Sequence, residues 1–117
     1  MLEISAHRPD DGSRADLCPE GELDAYSVAR FRESFAELAS EQRVVVNLSG
    51  VQFMDSAGLG ALIGGIRRIR ENDGRVTIFS DREAITKLLH TTGFDRIVPV
   101  RTVLSEAVTA LDDDPDV

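Results

Sequence analysis

Apolar residues recur along this chain with a helical spacing in four segments. At intervals of three and four residues they form one stripe over Tyr26–Ala39 and a second over Leu59–Arg70. The stretch REAITKLLHTTG and the segment from Leu104 to Leu111 repeat the pattern. This spacing places the apolar side chains on one side of a helix. The pattern therefore predicts four helices.

Short apolar runs bounded by polar residues lie around these helices. Arg43–Leu48 (RVVVNL) is rich in β-branched residues, which predicts a strand buried on both faces. RVTIF and RIVPV predict two more strands, and Pro99 predicts an edge position for the last one. Leu2–Ala6 and Ala15–Cys18 are short strand candidates separated by turn residues, so we expect a hairpin at one side of the sheet.

The order of these elements predicts an α/β fold. From Arg43 onward strands alternate with helices, which implies parallel pairing with crossover helices. The segments PEGELDAYS and Ser49–Met54 are interpreted as connections. The expected product is a single domain over residues 1–111, with a mixed sheet of about five strands and four helices. Residues 112–117, mostly acidic, are expected to be a disordered tail.

Composition narrows the function classes. The chain has 117 residues, enough for one domain with an ordinary core. Its net charge of −8 argues against nucleic acid, whose phosphates attract basic proteins. No apolar run approaches the roughly 18 residues of a membrane span, and the N-terminus lacks the pattern of a signal peptide. We therefore expect a cytoplasmic protein with no membrane partner.

The cysteine and histidine content argues against metal and disulfide chemistry. Cys18 is the only cysteine, so an internal disulfide is impossible. His7 and His90 are far apart in the chain, which makes a zinc site improbable. No nucleophile stands beside an obvious base, although Asp24 and Asp55 could imitate a carboxylate pair. We expect no enzyme activity, no catalytic residue, no metal and no cofactor.

The stretch FMDSAGLGALIGG places an acid and a hydroxyl, Asp55 and Ser56, where a helix begins. Either side chain can cap the helix by accepting a backbone hydrogen bond. The same position also suits a phosphoryl group, because a helix N-terminus favours negative charge. Ala57 and Gly58 are small, so the active site of another protein could approach the hydroxyl. These residues leave both interpretations open.

Two other α/β sites share part of this pattern. Gly58, Gly60 and Gly64 approximate the dinucleotide fingerprint, with Asp81 in the place of the ribose-binding acid, but the third glycine is one position late. A phosphoaspartate receiver domain would use Asp55 as its acceptor. That interpretation lacks a clear acidic pair for Mg²⁺ and a lysine after the last strand. Both interpretations are weaker than the first two.

Two motifs in this order resemble the bacterial anti-sigma factor antagonists, which are STAS-domain proteins. The element G-E-[L/I]-D is matched by Gly21–Asp24, and D-S-[S/T/A]-G-[L/M] by Asp55–Leu59. The segment VVVNLSGVQFMD between them is also similar. The resemblance runs from the Leu2 strand to the helix near Leu111. It implies a STAS-like domain that regulates transcription by partner switching, including in stress responses.

The resemblance implies a role for each matched residue. Ser56 corresponds to the phosphoacceptor, Asp55 helps to shape its site, and Asp24 lies beside the phosphorylated loop. Ala57, Gly58 and Leu59 complete the expected partner-binding set. Alanine at position 57 leaves Ser56 as the only hydroxyl of the motif.

The resemblance also implies partners. The expected partner is an anti-sigma factor that is also a serine kinase of the histidine-kinase-like fold and supplies ATP and Mg²⁺. The unphosphorylated antagonist binds it and releases the sigma factor, phosphorylation of Ser56 prevents binding, and a PP2C-type phosphatase resets the switch. The alternative is a STAS binding module that is not phosphorylated and acts as a scaffold in a stressosome or lipid-transfer complex.

Overall fold

Within the described part of this protein, six strands form one mixed sheet. The computed structural model describes residues 2–113. The strands are β1 (Glu3–His7), β2 (Ala15–Leu23), β3 (Arg43–Asn47), β4 (Gly50–Met54), β5 (Arg75–Phe79) and β6 (Val100–Arg101). The order across the sheet is β1-β2-β3-β5-β6, and β4 pairs with β2. Among these six strands the β1–β2 pair is antiparallel and the other four pairs are parallel.

Strands β3 and β4 lie end to end along the same edge of β2. The first half of β2 pairs with β3, in the register Leu17 to Val46, and the second half pairs with β4, in the register Leu23 to Met54. Glu20 pairs with β1 on one side and with β4 on the other, so β4 must lie on the β3 side. One long strand therefore positions two consecutive shorter ones.

Four helices and one turn of 3-10 helix complete the described part of the fold. They are α1 (Val28–Glu37), α2 (Ser56–Glu71), α3 (Glu83–Thr91), the 3-10 turn (Phe94–Arg96) and α4 (Leu104–Ala110). The main core lies between the sheet and the first three helices, where each helix contributes apolar residues that are almost fully buried. Helix α4 covers the other face, where Val45 packs with Ala107 and Leu111.

Several expectations from the sequence are confirmed. The α/β class, the N-terminal hairpin and the parallel pairing from Arg43 onward are as predicted. Val44 and Val46 face the main core while Val45 faces α4, so the RVVVNL strand is buried on both faces. Strand β6, which follows Pro99, lies at the edge of the sheet.

Three boundaries were wrong. Ser49–Met54 is mostly a strand, β4, which makes six strands where about five were expected. Strand β2 continues past Cys18 to Leu23, because its second half pairs with β4, across a bulge in which Gln52 of β4 is the extra residue. The RIVPV strand shortens to Val100–Arg101, since the chain before it forms a 3-10 turn.

The chain end described by the structure lies at the start of β3 and β5. Arg43 forms an ion pair with Asp112, and the Arg75 guanidinium donates a 3.0 Å hydrogen bond to the carbonyl of Leu111. Residues 114–117, the last part of the tail predicted from residue 112, lie outside the described residues. Within residues 2–113, no helix is both long and apolar enough to cross a membrane.

Candidate functional site

The pairing of β2 with β4 brings the two predicted aspartates to the same edge of the sheet. Leu23 is opposite Met54, and the next residues of the two strands are Asp24 and Asp55. The backbone N–H of Asp55 donates a 3.2 Å hydrogen bond to the carbonyl of Leu23, so the two strand ends are held together. This is the carboxyl edge of parallel strands, where α/β proteins place functional loops.

Asp55 is the N-cap of α2. Its backbone is extended, and its Oδ1 accepts hydrogen bonds from the N–H groups of Ala57 (2.9 Å) and Gly58 (3.1 Å). The first N–H groups of a helix have no partner within the helix, and a cap that satisfies them is typically worth about 1 kcal/mol. The carboxylate of Asp55 thus has a structural task.

Ser56 is exposed at the first position of α2. Because Asp55 already caps the helix, the serine hydroxyl is not needed for capping. Within residues 2–113, no hydrogen bond engages its Oγ. The exposed hydroxyl therefore lies at the positive end of a helix of 16 residues, accessible to another protein.

The remaining motif residues, Ala57, Gly58 and Leu59, pack the start of α2 against the rest of the protein. Gly58 is buried, and a Cβ atom there would lie 2.4 Å from the Leu23 carbonyl oxygen, so only glycine fits. Ala57 and Leu59 are half-buried against the main core. The packing of these three residues fixes the position of Ser56 relative to the end of β2. Their contact with a partner stays a prediction.

Asp24 shapes the loop that leads into α1. Its Oδ1 accepts hydrogen bonds from the backbone N–H groups of Tyr26 (2.9 Å) and Ser27 (3.0 Å). The Ser27 hydroxyl donates a 2.6 Å hydrogen bond to the carbonyl of Glu22, which ties the loop back to β2. Asp24 is half-buried, and its second carboxylate oxygen has no hydrogen-bond partner within the described residues.

Two exposed aromatic side chains near this edge were missed from the sequence. Tyr26 is 98% exposed in the loop fixed by Asp24, and Phe53 is 49% exposed on β4 opposite Glu22. Tyr26 lies just before Val28, the first apolar residue on the buried side of α1, so the helical pattern already indicated that Tyr26 is outside the buried part of the helix. Phe53 alternates with the buried Met54, as strand residues do. The exposure of either side chain can be predicted only after the ends of α1 and β4 are known.

The glycine-rich run does not form a phosphate-binding loop. Gly58, Gly60 and Gly64 all lie inside α2, whereas a dinucleotide fingerprint needs its first glycine in the turn between strand and helix. Among residues 2–113, no group of three or more His, Cys, Asp or Glu side chains is placed to hold a metal ion.

Comparison with known proteins agrees with this geometry. The profile of the STAS domain family matches residues 13–107, which is most of the chain. This chain belongs to the STAS domain family. One relative, the anti-sigma-B factor antagonist of Staphylococcus epidermidis, is 35% identical over 82 residues, which are 68% of this chain and 76% of that protein.

Two solved structures share the fold of this chain. The anti-sigma factor antagonist from Mycobacterium paratuberculosis superposes with a TM-score of 0.86 at 23% identity, covering 97% of this chain and 96% of that chain. The Bacillus cell fate determinant SpoIIAA, solved in its phosphorylated form, gives a TM-score of 0.68 at 19% identity, covering 93% and 99%. At these identities the similarity establishes the fold.

Proposed function

We propose that this STAS domain is an anti-sigma factor antagonist switched by phosphorylation of Ser56. Unphosphorylated, it binds an anti-sigma factor in the cytoplasm and thereby releases a sigma factor. The proposal rests on one observation at the start of α2. Asp55 caps the helix, and the Ser56 hydroxyl therefore remains exposed and free of a capping role. The names of the relatives and of the similar structures support it.

The electrostatics of the sheet edge explain how phosphorylation would act. A phosphoryl group adds about two negative charges. The N–H groups of Ala57 and Gly58 already bond to Asp55, so they are not available to neutralise the phosphate. The carboxylates of Asp55 and Asp24 at the same edge repel it. The phosphate would therefore project outward, where it blocks a partner without unfolding α2.

The kinase and the phosphatase are part of the same proposal. The anti-sigma factor would be a serine kinase of the histidine-kinase-like fold that supplies ATP and Mg²⁺. A PP2C-type phosphatase would remove the phosphate. This chain then contributes a binding surface and a hydroxyl, and it acts as a regulatory binding protein.

The test is direct. Intact mass spectrometry of the protein from its own host, wild type beside Ser56→Ala, should show one added phosphate on the wild type only. Each serine-kinase anti-sigma factor of the same genome is then purified and titrated against the dephosphorylated chain by calorimetry. We expect one of them to bind wild type and Ser56→Ala alike, and to phosphorylate only the wild type.

Two results would contradict the proposal in different ways. If an anti-sigma factor binds but Ser56 is never phosphorylated, the proposed phosphorylation switch is wrong, and the result supports the alternative of a scaffold that is not phosphorylated. If no anti-sigma factor binds the dephosphorylated chain, the antagonist function itself is wrong.

A further inference from the structure

An apolar groove runs between α1 and α2. Its volume is about 170 Å³, and the ring of Phe35 lies at its base. Gly60 and Gly64 form its α2 side, while Arg32 and Arg68 stand at its two rims. The groove is shallow and open to solvent, so it suits a protein segment better than an enclosed small molecule.

The glycines of α2 fall into two groups. A Cβ atom on Gly58 would collide with the Leu23 carbonyl, and one on Gly65 would lie 2.2 Å from the ring of Phe35, so packing inside the chain requires both. Gly60 and Gly64 are exposed, and a Cβ atom on either would have no neighbour within 4 Å. Glycine destabilises a helix interior relative to alanine. Nothing inside the described chain offsets that cost at these two positions.

The charge at the rims differs from that of the whole protein. The chain has a net charge of −8, yet the groove is bordered by the exposed side chains of Arg32 and Arg68, with Arg67 beside them. Within residues 2–113, none of these three arginines forms an ion pair with a carboxylate. The rims are therefore complementary to an acidic segment.

The groove continues the surface that carries the phosphoacceptor. Ser56, Gly60 and Gly64 follow one another at intervals of four residues, so they lie along one side of α2. We propose that the anti-sigma factor docks along this side and places an acidic segment in the groove, with its carboxylates at Arg32 and Arg68. This inference rests on the proposed function and identifies the second half of its docking surface.

The glycine positions allow a test that separates binding from folding. The double variant Gly60→Ala/Gly64→Ala should raise the melting temperature by a few degrees, because alanine favours the helix. The same methyl groups should weaken anti-sigma factor binding about tenfold, because they prevent close approach of the partner's segment. A more stable protein that binds less well cannot be explained by misfolding.

Charge reversal provides an independent test. Arg68→Glu should weaken binding about tenfold and reduce the dependence of the association rate on salt. Arg96→Glu, in the 3-10 turn beyond α3, is the matched control and should bind as the wild type does. The probe is the anti-sigma factor that binds the wild-type chain in the titrations described above.

The outcomes are distinguishable. If the wild type and the groove variants bind the anti-sigma factor equally well, the proposed docking in the groove is wrong, but the proposed antagonist function is not contradicted. If no anti-sigma factor binds the wild type, the function is wrong and the groove inference, which rests on it, is wrong too. If the chain self-associates and Arg68→Glu abolishes this, the occupant is a second copy, which also overturns the inference.

Discussion

A Cβ atom on Gly58 would lie 2.4 Å from the carbonyl oxygen of Leu23, so the first turn of α2 rests directly on the end of β2. Because of this contact, the loop that carries Ser56 and the loop that carries Asp24 have one relative position. Any side chain at residue 58 would have to separate them.

Gly58→Ala should therefore destabilise the protein, by about 1 to 3 kcal/mol in the free energy of unfolding, through overpacking at the strand end. Urea denaturation followed by circular dichroism measures this value. Gly60→Ala is the matched control in the same helix, since it has open space around it and should stabilise by about 0.5 to 1 kcal/mol. Equal effects of the two variants would contradict the packing argument.

Removing the cap should cost less. Asp55→Ala deprives the N–H groups of Ala57 and Gly58 of their acceptor and should lower the free energy of unfolding by about 1 kcal/mol. Asp55→Asn keeps an acceptor oxygen and should retain most of the stability. Asp81→Ala, at an exposed position outside any helix or strand, serves as the control. A loss in Asp55→Asn as large as in Asp55→Ala would mean that the charge, and not the cap, is responsible.

The exposed aromatic residues should act in binding and not in folding. Tyr26→Ala should leave the melting temperature unchanged, because the side chain is 98% exposed, and should weaken anti-sigma factor binding about tenfold. Phe53→Ala should also weaken binding of the anti-sigma factor. Ile97→Ala and Val103→Ala remove exposed apolar side chains elsewhere and are the controls. Affinities that are equal across all four variants would remove the aromatic residues from the docking surface.

Cys18 should be a slow nucleophile. Burial, and then the nearby carboxylates of Asp16 and Glu20, raise the pKa of its thiol above the ordinary value of 9.0. Since the thiolate is the reactive form, alkylation by iodoacetamide at pH 8 should be much slower in the folded protein than in guanidinium chloride. In the folded protein the rate should go on increasing with pH above the unfolded pKa, where the rate in guanidinium chloride levels off. Alkylation at the same rate in both states would exclude the raised pKa.

The raised thiol pKa has a consequence for stability. The folded state disfavours the thiolate, so the unfolded chain loses its proton at a lower pH than the folded chain does. The contribution of Cys18 to the free energy of unfolding should be constant below the unfolded pKa, decrease between the unfolded and the folded pKa, and level off above the folded pKa. The same measurement on Cys18→Ser should lack that decrease.

The sequence predicts the residues of this site better than their surroundings. Asp55 and Ser56 are predicted because a cap residue next to an apolar stripe is a local signal. Strand β4 is missed because the extra residue Gln52, between the pairs Gly21–Val51 and Glu22–Phe53, breaks the alternation that would reveal the strand. The local pattern does not show that Gln52 is an extra residue, because this is visible only from the pairing of β4 with β2.

The groove between α1 and α2 could not be predicted at all. Gly58, Gly60, Gly64 and Gly65 look equivalent in the sequence. Only the tertiary contacts distinguish Gly65, against the ring of Phe35, from Gly64, which has nothing beside it. The meaning of a glycine in a helix depends on what approaches it from the rest of the chain.

The contact between Arg43 and Asp112 also has a practical consequence for measuring these affinities. Arg43 and Arg75 begin their strands, and both hold the last described turn of the chain, so that turn lies at the amino edge of the parallel strands. Asp24 and Ser56 follow the carboxyl ends of theirs. A label attached at position 113 therefore lies at the opposite edge of the sheet from Ser56, and a protein immobilised that way on a sensor keeps the loop of Ser56 facing the solution.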